Sequence, residues 1–118
     1  MDICFEGIGQ AAATFRTKDE TLAAGMAVTL TGNGAVGLGK AGDPLCGVTV
    51  SAARGGAAAV QIGGVVKVGC SAGDAPEVGW QELACDGTGG VKAADGDDGT
   101  RFLVLAVDED KKSVVVRL

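Results

Sequence analysis

The sequence predicts an all-β protein, a small compact barrel of short antiparallel strands and hairpins with at most one short helical turn. Its apolar residues are mainly Val, Ala and Leu, and its aromatic residues are three Phe and one Trp, without Tyr. The branched Cβ of Val favours strands, whereas each of the 21 Gly would cost a helix about 1 kcal/mol. The 118 residues have room for one domain, 1–118, with an N-terminal strand region and linker over 1–24 and the barrel over 25–118.

Short apolar runs bounded by Gly, Asp, Asn and Ser predict the strands. In chain order the runs are 1–8, 12–17, 26–31, 35–40, 45–53, 57–62, 65–70, 79–85, 91–93, 101–107 and 113–118. The first two should pair with each other. Gly32-Asn33-Gly34 tolerates positive φ and predicts a hairpin turn, Gly63-Gly64 predicts a kink, and 71–78 (SAGDAPEV) predicts a loop.

One segment, residues 18–24, has a helical alternative. Thr17 can serve as its N-cap and Glu20 as the capping-box partner, and Gly25 would end it. Seven residues are marginal for a helix, so a single turn or an extended linker is an equal alternative.

A weak internal repeat relates residues 25–50 to residues 79–107. Each copy has a strand, a Gly-rich turn, a second strand, a Gly–Asp loop and an apolar strand, and each is followed by one further strand, AAAVQI or SVVVRL. The repeat predicts two similar hairpin pairs, related by pseudo-symmetry, that close one compact barrel. Chance similarity between Gly-rich strands is the alternative.

Alternation of apolar residues along the strands predicts the core. The predicted core residues are Val28, Leu30, Val48, Val50, Val60, Ile62, Val66, Leu103, Leu105, Val114 and Val116. The continuous run FLVLAV also predicts burial of Val104, since a central strand is covered on both faces.

Charge and hydropathy argue against several kinds of partner. The net charge is −5 and the ten basic residues are dispersed, so we expect no nucleic-acid binding. No apolar run approaches the length of a membrane span and the start, MDICFEGIGQ, does not look like a signal peptide, so we expect synthesis in a reducing cytoplasm and no membrane contact. The four Cys lack a CxxC pair, which argues against a zinc or redox site, and the expected reducing cytoplasm favours buried thiols over two disulfides.

Catalytic chemistry is not evident in the sequence. His is absent, and six of the ten Asp lie beside Gly in predicted turns, where Asp bonds its own backbone. The acidic cluster 95–99 (DGDDG) lacks the twelfth-position Glu of a calcium loop and is predicted to be a solvated turn. We therefore expect a structural binding protein, not an enzyme, with no cofactor and no metal.

Two stretches carry a family resemblance: GMAVTLTGNGAVGLGKAGDPLCGVTVSAARGGAAAVQIGGVVKV and the ending GTRFLVLAVDEDKKSVVVRL. They resemble the capsid-decoration, or head-stabilisation, proteins of tailed bacteriophages and prophages, over about 25–68 and 79–118. The resemblance implies a β-tulip-like barrel and a homotrimer on the virion capsid surface that caps junctions between major capsid proteins. It brings no catalytic residues, and the four Cys and the N-terminal MDICFEGIGQ depart from the family pattern.

Candidate contact residues are the apolar and aromatic side chains that a small barrel does not need for its core. With 47% hydrophobic residues, part of the apolar content should serve subunit or capsid contacts. The candidates are Ile3, Phe5 and Ile8 near the N-terminus and Trp80, for which plugging one end of the core is an equal alternative. Rival functions are a small-molecule-binding or carrier β-barrel and an enzyme that uses carboxylates alone.

Overall fold

The computed structural model describes residues 11–70, 76–94, 100–108 and 112–118, and the fold over these residues is all-β, as predicted. The strands are β1 (Ala11–Arg16), β2 (Ala27–Gly32), β3 (Ala35–Leu38), β4 (Gly47–Thr49), β5 (Ala57–Gly63), β6 (Val65–Gly69), β7 (Gly79–Cys85), β8 (Val91–Ala93), β9 (Thr100–Asp108) and β10 (Ser113–Arg117). The described residues contain no helix, and so none that could cross a membrane. The predicted strand 1–8, the acidic cluster 95–99 and most of the loop 71–78 lie outside them.

Strands β1 to β5 form a closed barrel in the order β1-β3-β2-β4-β5, called here the N-terminal barrel. Four of its contacts are antiparallel, including the β2–β3 hairpin predicted around Gly34, whose φ is +64°. The barrel closes where β1 meets β3 in parallel at a single pair, Arg16 and Ala35. Strand β1 thus belongs to the barrel, although the sequence suggested a separate N-terminal strand region.

Strands β6 to β10 form a second sheet in the order β6-β10-β9-β7-β8, called here the C-terminal sheet. Gly64, with φ +86°, leads the chain out of β5 and into this sheet, at the kink that the sequence predicted. The two outermost strands approach each other again at one parallel bridge, Cys70 to Val91.

The two units have the same strand order. Written from the hairpin side, β3-β2-β4-β5-β1 corresponds to β8-β7-β9-β10-β6, strand for strand. Corresponding backbone hydrogen bonds join the end of the first strand of each unit to the turn before its last strand. Thr17 N–H donates to the Gly56 carbonyl at 2.9 Å, and Cys70 N–H donates to the Lys112 carbonyl at 2.8 Å. The sequence copies therefore lie in two separate five-stranded units, and they do not close one common barrel.

Each unit has its own apolar core. The interior of the N-terminal barrel holds Leu22, Val28, Val36, Ala58 and Val60. The core of the C-terminal sheet is larger and includes three residues from the barrel: Ala27, Leu45 and Val48. Because Val48 alternates with the inward-facing Gly47 and Thr49 on β4, it points away from the barrel interior and into the core of the other unit.

The core prediction holds for most of the Val residues, and it is wrong at three exposed positions and at Leu103, which lies on the outer face of the C-terminal sheet. Val28, Val48, Val60, Val66, Val104, Val114 and Val116 are buried, and Leu103 and Leu105 are half-buried. Leu30, Val50 and Ile62 are 58%, 39% and 43% exposed. They share the parity of buried neighbours but lie near strand ends, where no further strand covers them, since β4 is only three residues long.

Residues 17–25 form turns and no helix. The Thr17 hydroxyl accepts a hydrogen bond from Asp19 N–H, as an N-cap would, but Glu20 bonds Gly56 N–H at 3.1 Å and does not return to Thr17. Leu22 is drawn into the barrel core. Burial of this one side chain and the long-range bond of Glu20 favour a turn over a marginal helix.

The predicted strand 45–53 is shortened to Gly47–Thr49 because the preceding residues pair with the other unit. Pro44 forms a bridge with Ala84, and Gly42 and Asp43 exchange backbone hydrogen bonds of 2.9 Å with Cys85. The β3–β4 connection thus extends the C-terminal sheet beside the end of β7.

Candidate interaction surface

Trp80 lies on the outer face of the C-terminal sheet, opposite in parity to the buried Leu83 of the same strand. It is paired with Leu103 on β9, Leu103 with Arg117 on β10, and Arg117 with Val65 on β6. These four residues form one row across four strands. The Trp80 side chain is 51% exposed, so it does not plug the core.

Two arginines hold the indole ring. The guanidinium carbon of Arg101 lies 5.7 Å from the ring centroid and that of Arg117 lies 5.5 Å from it. Both distances are within the range of a cation–π interaction, which contributes about 0.5–1 kcal/mol at exposed sites. The ring is thereby oriented on the sheet while about half of its surface remains open to solvent.

Val78, 64% exposed and two residues before Trp80, adds a further apolar side chain at this edge of the sheet. We call Val78, Trp80, Arg101, Leu103 and Arg117 the Trp80 surface. It combines an exposed aromatic, two aliphatic side chains and two positive charges, in a chain whose net charge is −5. Trp and Arg are the residue types that most often carry binding energy at protein interfaces.

A second feature is the groove between β1 and β3, where the N-terminal barrel is closed by one residue pair. Its volume is about 990 Å³, and its walls include Arg16, Lys18, Thr31, Gly32 and Gly56. We call it the β1–β3 groove. Arg16 is held there by a 2.6 Å hydrogen bond from its guanidinium to the Asn33 carbonyl.

Asp19 also lines this groove. Its carboxylate accepts hydrogen bonds from the Thr21 hydroxyl, from Thr21 N–H at 3.0 Å and from Leu38 N–H at 3.4 Å. These bonds, that of the Thr21 hydroxyl first, lower the pKa of Asp19 below its ordinary value. The groove therefore presents a carboxylate beside the cations of Arg16 and Lys18.

Two of the described thiols, Cys46 and Cys85, are poorly reactive. Burial, with a smaller effect of the neighbouring Asp43 carboxylate, raises the pKa of the Cys85 thiol to about 11, and burial also raises the pKa of Cys46. Cys85 therefore stays protonated at neutral pH and is a poor nucleophile. Cys4 lies outside the described residues, and within them no group of three or more Cys, Asp and Glu side chains is arranged to hold a metal ion.

Of the candidate contact residues, the structure describes Trp80 alone, since Ile3, Phe5 and Ile8 lie outside the described residues. Sequence reasoning missed Arg101, Leu103 and Arg117. Strand parity gave the wrong face for β9, since it placed Leu103 in the core, whereas Val104 faces the core and Leu103 lies on the outer face. Their meeting at Trp80 depends on the register of β7, β9 and β10, which no local pattern specifies.

No protein-family model matches the chain, and no curated protein matches it in sequence.

Proposed function

We propose that this protein is a structural virion component of a tailed phage or prophage, which decorates and stabilises the capsid as a homotrimer bound at junctions between major capsid proteins. The observation that supports it best is the Trp80 surface, because a Trp oriented by two Arg on an outer sheet face is typical of a protein-binding site. The sequence resemblance to decoration proteins supplies the kind of partner.

The exposed apolar residues support assembly as well. Leu30, Val50, Ile62, Val78 and Trp80 are all more than one third exposed. Scattered apolar groups are normal on a monomer, but Val78, Trp80 and Leu103 belong to one surface. Contact with another protein would remove these side chains from water.

The test is cosedimentation with capsids of the phage or prophage that encodes the chain, purified without it. We expect saturable binding to expanded shells, three copies per junction, and a rise in the temperature at which the shells break open. An unrelated acidic protein of similar size is the control. If the chain stays in the supernatant at tens of micromolar, the decoration role is wrong.

A further inference from the structure

The two units of the chain contribute different surfaces to the contact between them. The outer face of β2 and β4 on the N-terminal barrel, with Ala27 and Val48, packs into the core of the C-terminal sheet. Ala27 N–H donates a 2.8 Å hydrogen bond to the Gly89 carbonyl in the β7–β8 turn. The N-terminal barrel thus contributes its outer face to the contact, and the C-terminal sheet contributes the region where β6 and β8 meet.

Register identifies the corresponding residues of the two units. Gly56 matches Lys112, so the paired row Ala27, Val48, Gln61 and Ala12 of the N-terminal barrel corresponds to the paired row Trp80, Leu103, Arg117 and Val65 of the C-terminal sheet. Trp80 is therefore the counterpart of Ala27, and the Trp80 surface is the counterpart of the outer barrel face that packs inside the chain. Gly25, two residues before Ala27, corresponds to Val78, two residues before Trp80.

The receiving regions correspond too. A hollow of about 440 Å³ at the C-terminal sheet is lined by Gly69, Cys70 and Lys112. Gly25, which precedes β2 of the N-terminal barrel, also lies on its wall. By the pairing of β1 with β5 and of β6 with β10, the counterparts of the three residues of the C-terminal sheet are Arg16, Thr17 and Gly56. All three counterparts line the β1–β3 groove.

Each unit therefore has one exposed surface, and the corresponding surface of the other unit is buried within the chain. Ala27 is 0% exposed, whereas its counterpart Trp80 is 51% exposed. Leu83 is 0% exposed, whereas its counterpart Leu30 is 58% exposed. The C-terminal sheet leaves a donor face free, and the N-terminal barrel leaves a receiving groove free.

We propose that copies of this chain associate head to tail, with the Trp80 surface of one copy seated in the β1–β3 groove of the next. The contact repeats the one made inside each chain, so a closed ring covers all donor faces and grooves. That the ring closes at three subunits rests on the proposed function. The pairing of the Trp80 surface with the β1–β3 groove does not depend on the proposed function.

Size and charge fit this contact. The groove, about 990 Å³, is larger than the hollow of about 440 Å³ beside Gly25, as Val78 and Trp80 in place of Gly25 and Ala27 require. The groove region carries Arg16, Lys18, Asp19 and Glu20, and the incoming face carries Glu82, Arg101 and Arg117. Both surfaces thus carry charges of both signs, which can pair across the contact.

Two single variants test the two sides of the contact. Trp80→Ala removes the anchor from the donor face. Gly32→Arg adds bulk and positive charge to the groove, at a position with open space and no positive φ. We expect each variant to raise the dissociation constant of self-association at least tenfold in sedimentation velocity, since aromatic anchors dominate interface energies. Ile62→Ala, an exposed apolar residue outside both surfaces, is the matched control.

Mixing the two variants tests the direction of the contact. Trp80→Ala keeps an intact groove and Gly32→Arg keeps an intact Trp80 surface, so the mixture should form a heterodimer that neither variant forms alone. A contact between two Trp80 surfaces predicts no such recovery. Trp80 is the only Trp, so a blue shift of its emission as wild-type concentration rises reports its burial directly.

A wild-type monomer across micromolar concentrations, or a Gly32→Arg variant that associates like wild type, would overturn the head-to-tail contact. Circular dichroism of each variant checks that it is folded. An oligomer that forms as described but does not bind capsids removes only the proposed function, and a capsid-binding monomer removes only this inference.

Discussion

At Gly39 the backbone of the N-terminal barrel lies against Cys85 of the C-terminal sheet. A Cβ built on Gly39 would overlap both Sγ and Cβ of Cys85, which is itself buried. The absence of a side chain at this position is what allows the two units to approach. The sequence alone offers no reason to distinguish this glycine from the other 20.

We expect Gly39→Ala to lower the free energy of unfolding by about 1–3 kcal/mol, because the added methyl has to displace packed neighbours. Gly32→Ala is the matched control, since a Cβ there meets no atom within 4 Å. Urea denaturation followed by circular dichroism measures both. Equal stabilities of the two variants would show that the units are not packed closely at Gly39.

The turns before β5 and β10 both contain a residue with positive φ, but this residue is a glycine only in the turn before β5. Gly56 has φ +79° and its counterpart Lys112 has φ +54°, the one positive φ of a non-glycine residue in the described part of the chain. A left-handed conformation costs an L-residue about 1–2 kcal/mol relative to the right-handed one. The left-handed conformation therefore strains the backbone at Lys112 but not at Gly56.

We expect Lys112→Gly to raise the free energy of unfolding by about 0.5–1 kcal/mol, since the strain exceeds the extra entropy of glycine in the unfolded chain. The same change at Lys67, which lies within β6, should lower stability by about 0.5–1 kcal/mol. Thermal melts of the two variants give the comparison. A loss of stability in both would mean that Lys112 is not strained.

Over the whole molecule, the shared core couples the two units. Ala27, Leu45 and Val48 belong to the N-terminal barrel in sequence but to the core of the C-terminal sheet in space. Backbone hydrogen bonds between the Gly42–Asp43 segment and Cys85 add to this coupling. The units should therefore unfold together, although each has its own strand ladder.

We expect Val48→Ala to lower the free energy of unfolding by about 1–3 kcal/mol through the cavity it leaves. The fluorescence of Trp80, which reports on the C-terminal sheet, should shift its denaturation midpoint as much as circular dichroism does. Val50→Ala, two residues along and 39% exposed, is the control and should change little. Separate transitions for the two signals would mean that the units unfold independently.

The β-strands and their turns could be predicted from the sequence because the signals are local. The bounds of β7 and β8 agree with the apolar runs 79–85 and 91–93, and the glycine turn at 32–34 and the kink at Gly63-Gly64 lie where turn chemistry places them. Even the order of elements in the two copies could be read from spacing. Trp80 was chosen as a contact residue from its type and position alone.

The coverage of each strand face was decided only by the tertiary structure. Val48 and Val50 have the same type and the same parity, yet the C-terminal sheet covers one and leaves the other exposed. Likewise Arg101 and Arg117 meet Trp80 only through the register of three strands. Alternation specifies which residues share a face, but burial depends on strands distant in sequence, and so both the shared core and the Trp80 surface come from the packing of the two units.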